Sequence, residues 1–225
     1  MSDVEAPASR RAVCGACLRA QSACICAWIA PVASPVSLLI LQHPLEVGNA
    51  KNSARLLHLS VAGSSMVVGE TFAAEALHRL LHADGRTPVL LYPDTPGDAG
   101  LPAPPPFAPL PAAQLRLVVL DATWRKSRKM LHVNPALRRL PRLALAGMPA
   151  SAYRIRKAHA PDQLSTFEAS VHALGQLEGD GDRYAPLFAA FDGFVGQQAA
   201  FVPSVPIRKP ISVMPSSPRR SDPGG

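Results

Sequence analysis

Four short apolar runs constrain this chain more than anything else in it: VSLLILQ (36–42), MVVG (66–69), VLLY (89–92) and LRLVVLD (115–121). Each is rich in leucine or β-branched residues and too short and continuous for an amphipathic helix. Each therefore reads as a strand buried on both faces, the pattern of parallel sheets. Between them the spacing predicts helices over about 49–59 and 72–82, with another over 124–132 directly after the fourth run. Parallel neighbours need long crossovers, and alternating strand and helix supplies them. The expected body is α/β, a mostly parallel sheet covered by helices, over residues 31–202. Two more helices should close it. One begins at Ser165, where Ser165-Thr-Phe-Glu168 has the form of a capping box; the other spans about 184–201.

Proline is abundant, 24 of 225 residues, and must sit outside these elements. The segment 93–111 (PDTPGDAGLPAPPPFAPLP) is expected to be a loop inserted in the domain, and 1–11 and 203–225 are expected to be disordered. The longest apolar stretch, 27–41, is 15 residues long and holds Pro31 and Pro35. It can neither span a bilayer nor serve as a signal peptide. The expectation is a cytoplasmic protein with no membrane partner, and no obligate protein partner is inferred.

In a reducing compartment disulfides are rare. Cys14-Gly-Ala-Cys17, six residues, then Cys24-Ile-Cys26 therefore ask for a metal. Four thiolates within 13 positions suit tetrahedral zinc in a small ribbon over 12–30, and four protein ligands leave no open coordination position. A structural staple is the expected role; a redox pair or an iron–sulfur cluster is the alternative.

The net charge of +7 favours polyanionic partners without specifying a fold. Its distribution says more. From Ala122 to Pro161 there is no Asp or Glu, yet there are ten Lys or Arg: Arg125, Lys126, Arg128, Lys129, Arg138, Arg139, Arg142, Arg154, Arg156 and Lys157. A solvated basic face is one reading, and a surface for an RNA phosphate backbone is the other.

The fourth run ends in Asp121 just before Ala122-Thr123-Trp124-Arg125-Lys126, so a carboxylate stands at the carboxyl end of a strand, the edge where open α/β sheets bind ligands. Asp121 or Thr123 can also serve simply as a helix cap, and Trp124 as core filling. Three other stretches would converge on that edge. They are Gln42-His43-Pro44 with Glu46, Asn49, Lys51, Asn52 and Ser53; the basic segment Tyr153-Arg154-Ile-Arg156-Lys157; and Gln163-Leu164-Ser165-Thr166-Phe-Glu168.

Taken in order, five motifs resemble those of the DTW-domain proteins: the cysteine pattern, Gln42-His43-Pro44 with Lys51-Asn52-Ser53, Asp121-Ala-Thr-Trp124, Tyr153-Arg154-x-Arg156, and Leu164-Ser165-Thr166-x-Glu168. The likeness spans roughly 12–200. The second position of the name motif is often Gly and is Ala122 here, small for small. The resemblance implies a fold like the SPOUT methyltransferases, with a C-terminal trefoil knot that no periodicity could reveal. It also implies a tRNA-uridine aminocarboxypropyltransferase that uses S-adenosylmethionine as donor and releases 5'-methylthioadenosine.

On that reading Asp121 is the candidate base, with Thr123 and Trp124 beside it in the catalytic group. Trp124 would stack on a base, with core packing as the competing role. Gln42, His43, Asn52, Ser53, Arg154, Ser165, Thr166 and Glu168 are candidates for the donor, and Arg125, Lys126, Arg128, Lys129, Arg156 and Lys157 for RNA phosphates. Zinc would be held by Cys14, Cys17, Cys24 and Cys26. A base must sit within about 3 Å of the uracil imino proton, and an exposed aspartate is a poor one, so the role requires Asp121 to be partly desolvated or the proton transfer to be concerted with attack. Three other readings compete: the same transfer to ribosomal RNA, methyl transfer, and a non-catalytic zinc-ribbon RNA-binding module.

Overall fold

The computed structural model describes residues 12–94, 103–145, 147–148, 151 and 164–201. Five parallel strands form one sheet: β1 (Ser37–Gln42), β2 (Ser65–Val68), β3 (Thr87–Leu91), β4 (Leu115–Asp121) and β5 (Arg142–Leu143), in the order β2-β1-β4-β3-β5. β4 is buried along its whole length, as its uninterrupted apolar character requires. Successive side chains alternate between faces. Leu38 and Ile40 of β1 and Leu117 and Val119 of β4 join one core, while Leu39, Leu41, Val118 and Leu120 join the other.

The first core is covered by α1 (Ala54–Ser60), α5 (Thr166–Glu178) and α6 (Ala185–Ala200), the second by α2 (Ala74–Leu81), α3 (Trp124–Val133) and α4 (Pro135–Arg138). The result is a three-layer α/β/α arrangement. β1 hands on to β2 on one side, whereas β4 hands on to β5 on the other. The connections thus diverge between β1 and β4, and a crevice opens at their carboxyl ends.

α1 begins five residues later than the spacing predicts, because Asn side chains intercept the backbone. Asn49 Oδ1 accepts from the Lys51 N–H at 3.0 Å, and Asn52 Oδ1 accepts from the Ala54 N–H at 3.0 Å. Such local bonds offer an alternative to helix. β5 and α4 are too short to register as a periodicity and were not expected. The capping box at Ser165 is present in full: its hydroxyl accepts from the Glu168 N–H, and its own N–H donates to Glu168 Oε2 at 2.8 Å.

The cysteine segment packs against the α1/α5/α6 layer: Cys17 and Ile25 are buried in that core. Its anchor is Trp28, whose indole N–H donates to Gln197 Oε1 at 2.6 Å, while Gln197 Nε2 donates back to the Cys24 carbonyl at 2.9 Å. Gly193 makes this approach possible, since a Cβ there would lie 2.2 Å from the Trp28 ring. The expected disorder of 1–11 and 203–225, and most of the stretch between β5 and α5 on which a knot would depend, lie outside the described residues. Gly193→Val should push the ring off α6 at a cost of about 1–3 kcal/mol, typical of overpacking. Urea unfolding of the variant beside the wild type measures it, and an unchanged midpoint would show that Trp28 does not anchor the segment.

Candidate active site at the β1/β4 crevice

The register pairs Gln42 with Asp121, and these last residues of the two central strands meet at the crevice. Asp121 is 3% exposed. Its Oδ2 accepts from Gln42 Nε2 at 2.8 Å and from Asn52 Nδ2 at 2.7 Å. Gln42 Nε2 also reaches Asn52 Oδ1 at 3.3 Å, so the two amides brace each other. Burial pushes the Asp121 carboxyl above the ordinary value of 3.8, and hydrogen bonds from Gln42, Asn52 and Thr166 only partly offset this; Glu46 nearby adds to the rise. The desolvation that a base would need is therefore built in.

Two cavities meet here. The larger, about 510 Å³, is mainly apolar and runs along the carboxyl ends of β3, β4 and β5, between Leu91, Tyr92, Leu120, Leu143 and Leu145 and the start of α5 at Leu164, Ser165 and Thr166. Its size is that of a small-molecule site. The smaller, about 160 Å³, is polar and is walled by Asn49, Asn52, Ser53, Asp121 and Thr123. Ala122, Ser165 and Thr166 line both. A thirteen-residue helix thus opens onto the junction, with the positive dipole end that attracts a carboxylate.

The other expected site residues divide. Trp124 is not core filling: it is 47% exposed and stacks on Tyr92 at 5.1 Å between centroids and 13° between planes. Thr123 occupies the N-cap position of α3 but makes no side-chain cap bond, and its side chain stands exposed. His43 faces away from the cavities. Its Nδ1 accepts from the Leu45 N–H at 3.1 Å, and its Nε2 lies 3.0 Å from Glu70 Oε1. Glu168 is committed to the capping box and to the Ser151 hydroxyl at 2.7 Å.

Two lysines of α3 are paired with acids. Lys126 pairs with Glu46 at 3.0 Å, and Lys129 with Glu70 at 2.9 Å. The Glu70 carboxyl is held below its usual range by Lys129 first and His43 second. Arg125 and Arg128 lie exposed on the same helix. Arg154, Arg156 and Lys157 fall outside the described residues. Tyr92 was missed by sequence reasoning, although its place at the carboxyl end of a strand was a usable signal.

The four cysteine sulfurs lie within 4.8 Å of one another, with Cys14 to Cys26 at 3.6 Å and Cys17 to Cys24 at 3.8 Å. Zinc–sulfur bonds of about 2.3 Å in a tetrahedron put the sulfurs roughly 3.8 Å apart. The donor set and its spacing fit zinc. Among the described residues no helix is long and apolar enough to cross a membrane.

A family model for the DTW domain matches residues 11–199. Three curated relatives, each named tRNA-uridine aminocarboxypropyltransferase 2, align with 76% of this chain: one from Drosophila melanogaster at 30% identity, one from Macaca fascicularis at 26% and one from Mus musculus at 27%. The alignments span 69% of the fly protein and 58% of each mammalian one. No solved structure matches.

Because the Asp121 carboxyl is raised in the folded state, its contribution to stability is full below its unfolded value and is lost as pH climbs through the folded one. Asp121→Asn keeps an acceptor for Gln42 and Asn52 without a buried charge. The variant should be more stable than wild type at neutral pH, with the advantage closing toward the ordinary aspartate value near 3.8. Urea midpoints of both proteins across that range provide the check; a constant difference would mean that Asp121 titrates normally.

Proposed function

The chain belongs to the DTW-domain family, and from that premise we propose that it transfers the 3-amino-3-carboxypropyl group of S-adenosylmethionine to the imino nitrogen of a uridine in tRNA. The observation that carries the reading is the meeting of a large apolar cavity with a small polar one beside a buried carboxylate. The names of the relatives supply the acceptor class.

The larger cavity takes the donor. Its aliphatic walls and Tyr92 suit the adenine and the S-methyl group of the sulfonium, and the opening turn of α5 suits the donor carboxylate. The smaller cavity takes the uracil. At about 160 Å³ it has room for one small planar group, roughly five water volumes. Asn52, Ser53 and Thr123 offer it hydrogen bonds, while Trp124, which lines the larger cavity beside Tyr92, offers its exposed face for stacking there.

Asp121 accepts the imino proton, the freed nitrogen attacks the donor carbon γ to the carboxylate, and the carbon–sulfur bond breaks with its electron pair going to sulfur. The sulfonium charge is thereby discharged, and 5'-methylthioadenosine leaves. Methyl transfer would use the same sulfonium, so the carbon held in line with the uracil nitrogen decides the product. Zinc on Cys14, Cys17, Cys24 and Cys26 would have four protein ligands and a structural role. Arg125 and Arg128, exposed on α3, with Arg156 and Lys157, hold RNA phosphates; Lys126 and Lys129 also hold α3 against Glu46 and Glu70.

Incubation of the purified protein with S-adenosylmethionine and tRNA lacking the modification, followed by mass spectrometry, should give aminocarboxypropyluridine and methylthioadenosine, with turnover lost in Asp121→Asn. A methylated base with S-adenosylhomocysteine would overturn the chemistry. Modification of ribosomal RNA alone would change the acceptor, and RNA binding without donor consumption would leave only a binding module. Separately, Arg125→Ala with Arg128→Ala should weaken RNA binding and reduce its salt slope by about one per residue. Donor affinity should be unaffected; an unaltered slope would move the RNA face elsewhere.

A further inference from the structure

The cysteine segment reaches the buried carboxylate through one side chain. Arg19 closes the first knuckle: its carbonyl accepts from the Cys14 N–H at 2.7 Å, next to an antiparallel bridge between Val13 and Ala20. Its guanidinium leaves the knuckle and forks onto the loop before α1. Nη1 donates to the Ala50 carbonyl at 2.6 Å and Nη2 to the Asn52 carbonyl. The Phe194 ring of α6 lies 5.3 Å beneath the guanidinium carbon and fixes its plane. Asn52, gripped by its backbone, extends the amide that donates to Asp121.

We infer that Arg19 is a positioning residue: it transmits the geometry of the metal knuckle to Asp121 by holding the 50–52 backbone from which Asn52 reaches the carboxylate. Apart from its own Asx turns, the loop stands out in solvent. Asn49, Ala50 and Lys51 are exposed, and it ends on an Asx turn of Asn52 itself. Two carbonyls two residues apart need two donors in a fixed plane, which a guanidinium supplies and an ammonium does not. A second strut, Arg55 Nη2 to the Ala16 carbonyl at 2.8 Å, ties α1 to the same knuckle. The metal segment thereby acts on the site at a distance, without contact to either substrate.

The test, which rests on the reading of Asp121 as the base, uses Arg19→Lys and Arg19→Gln in the full chain. Metal analysis should still find one zinc per chain, and calorimetry should give an S-adenosylmethionine Kd within about twofold of wild type. Turnover should fall by about 10- to 100-fold, the scale of a misplaced reactive group. In an Asn52→Ser background the same Arg19 substitutions should cost little more, because the path is already cut. Carbon NMR of the Asp121 carboxyl should show its titration moving upward in Arg19→Lys, since a loosened Asn52 no longer favours the charged form; Glu46, the other acid facing it, is followed in the same spectra so that its own titration is not mistaken for that of Asp121. Wild-type turnover with an unmoved Asp121 titration would overturn the proposal. So would losses that multiply with those of Asn52→Ser, or a loss that appears only together with loss of zinc or fold. If the wild type transfers nothing to RNA, the functional reading fails while the Asp121 titration still decides the role of Arg19.

Discussion

A carboxylate that must stay buried at the end of a central strand sets the terms for this molecule. Asp121 is held there by the β1–β4 register, which is itself enforced by strands apolar on both faces: a slip of one residue would exchange the two cores. Having lost water, the carboxylate needs donors, and it receives them from Gln42 across the register and from Asn52 across the crevice. The two amides are bonded to each other as well as to Asp121. Such a closed set specifies one geometry, because any member that moves leaves buried polar atoms unpaired.

From this follows the irregular backbone between β1 and α1. A regular helix from residue 49 would satisfy its own N–H groups and leave Asn52 pointing wherever helical periodicity sent it. The Asx turns at Asn49 and Asn52 break that periodicity. They place an amide over Asp121 instead, at the expense of one and a half turns of helix. The segment departs from its predicted state where the site needs it to.

The sheet was legible in the sequence because burial on both faces leaves an unambiguous trace: Leu115 to Asp121 has no exposed position, so its pattern could be read without knowledge of its neighbours. Ser165 was equally legible, since a capping box is a local device whose partners lie three residues apart. The strand-end pattern placed Asp121 at the carboxyl edge of the sheet, where β4 ends. What the sequence concealed was long-range. That Lys126 and Lys129 would be paired with Glu46 and Glu70 depends on loops 80 and 59 residues away being folded beside α3. Likewise Tyr92 gains its meaning only from Trp124, and Arg19 only from the 50–52 loop. His43 and Glu168 have the residue types of ligand groups, and their engagement elsewhere is visible only in three dimensions.

The two helical layers divide the labour of the proposed reaction. One, with α1, α5, α6 and the cysteine segment, supplies the polar arms, through Asn52, Ser165 and Thr166. The other, with α3, supplies Trp124 and the exposed arginines. Both line the cavities at the carboxyl ends of the strands, where a shift of either layer alters the angle between donor and acceptor. Transfer of a bulky alkyl group in place of a methyl is a matter of that angle, since every carbon on a sulfonium is electrophilic and only the one in line reacts. On that reading, the brace that runs from the cysteine knuckle into one layer and ends on the carboxylate of the central strand holds the base in place, while the placement of the donor selects the carbon.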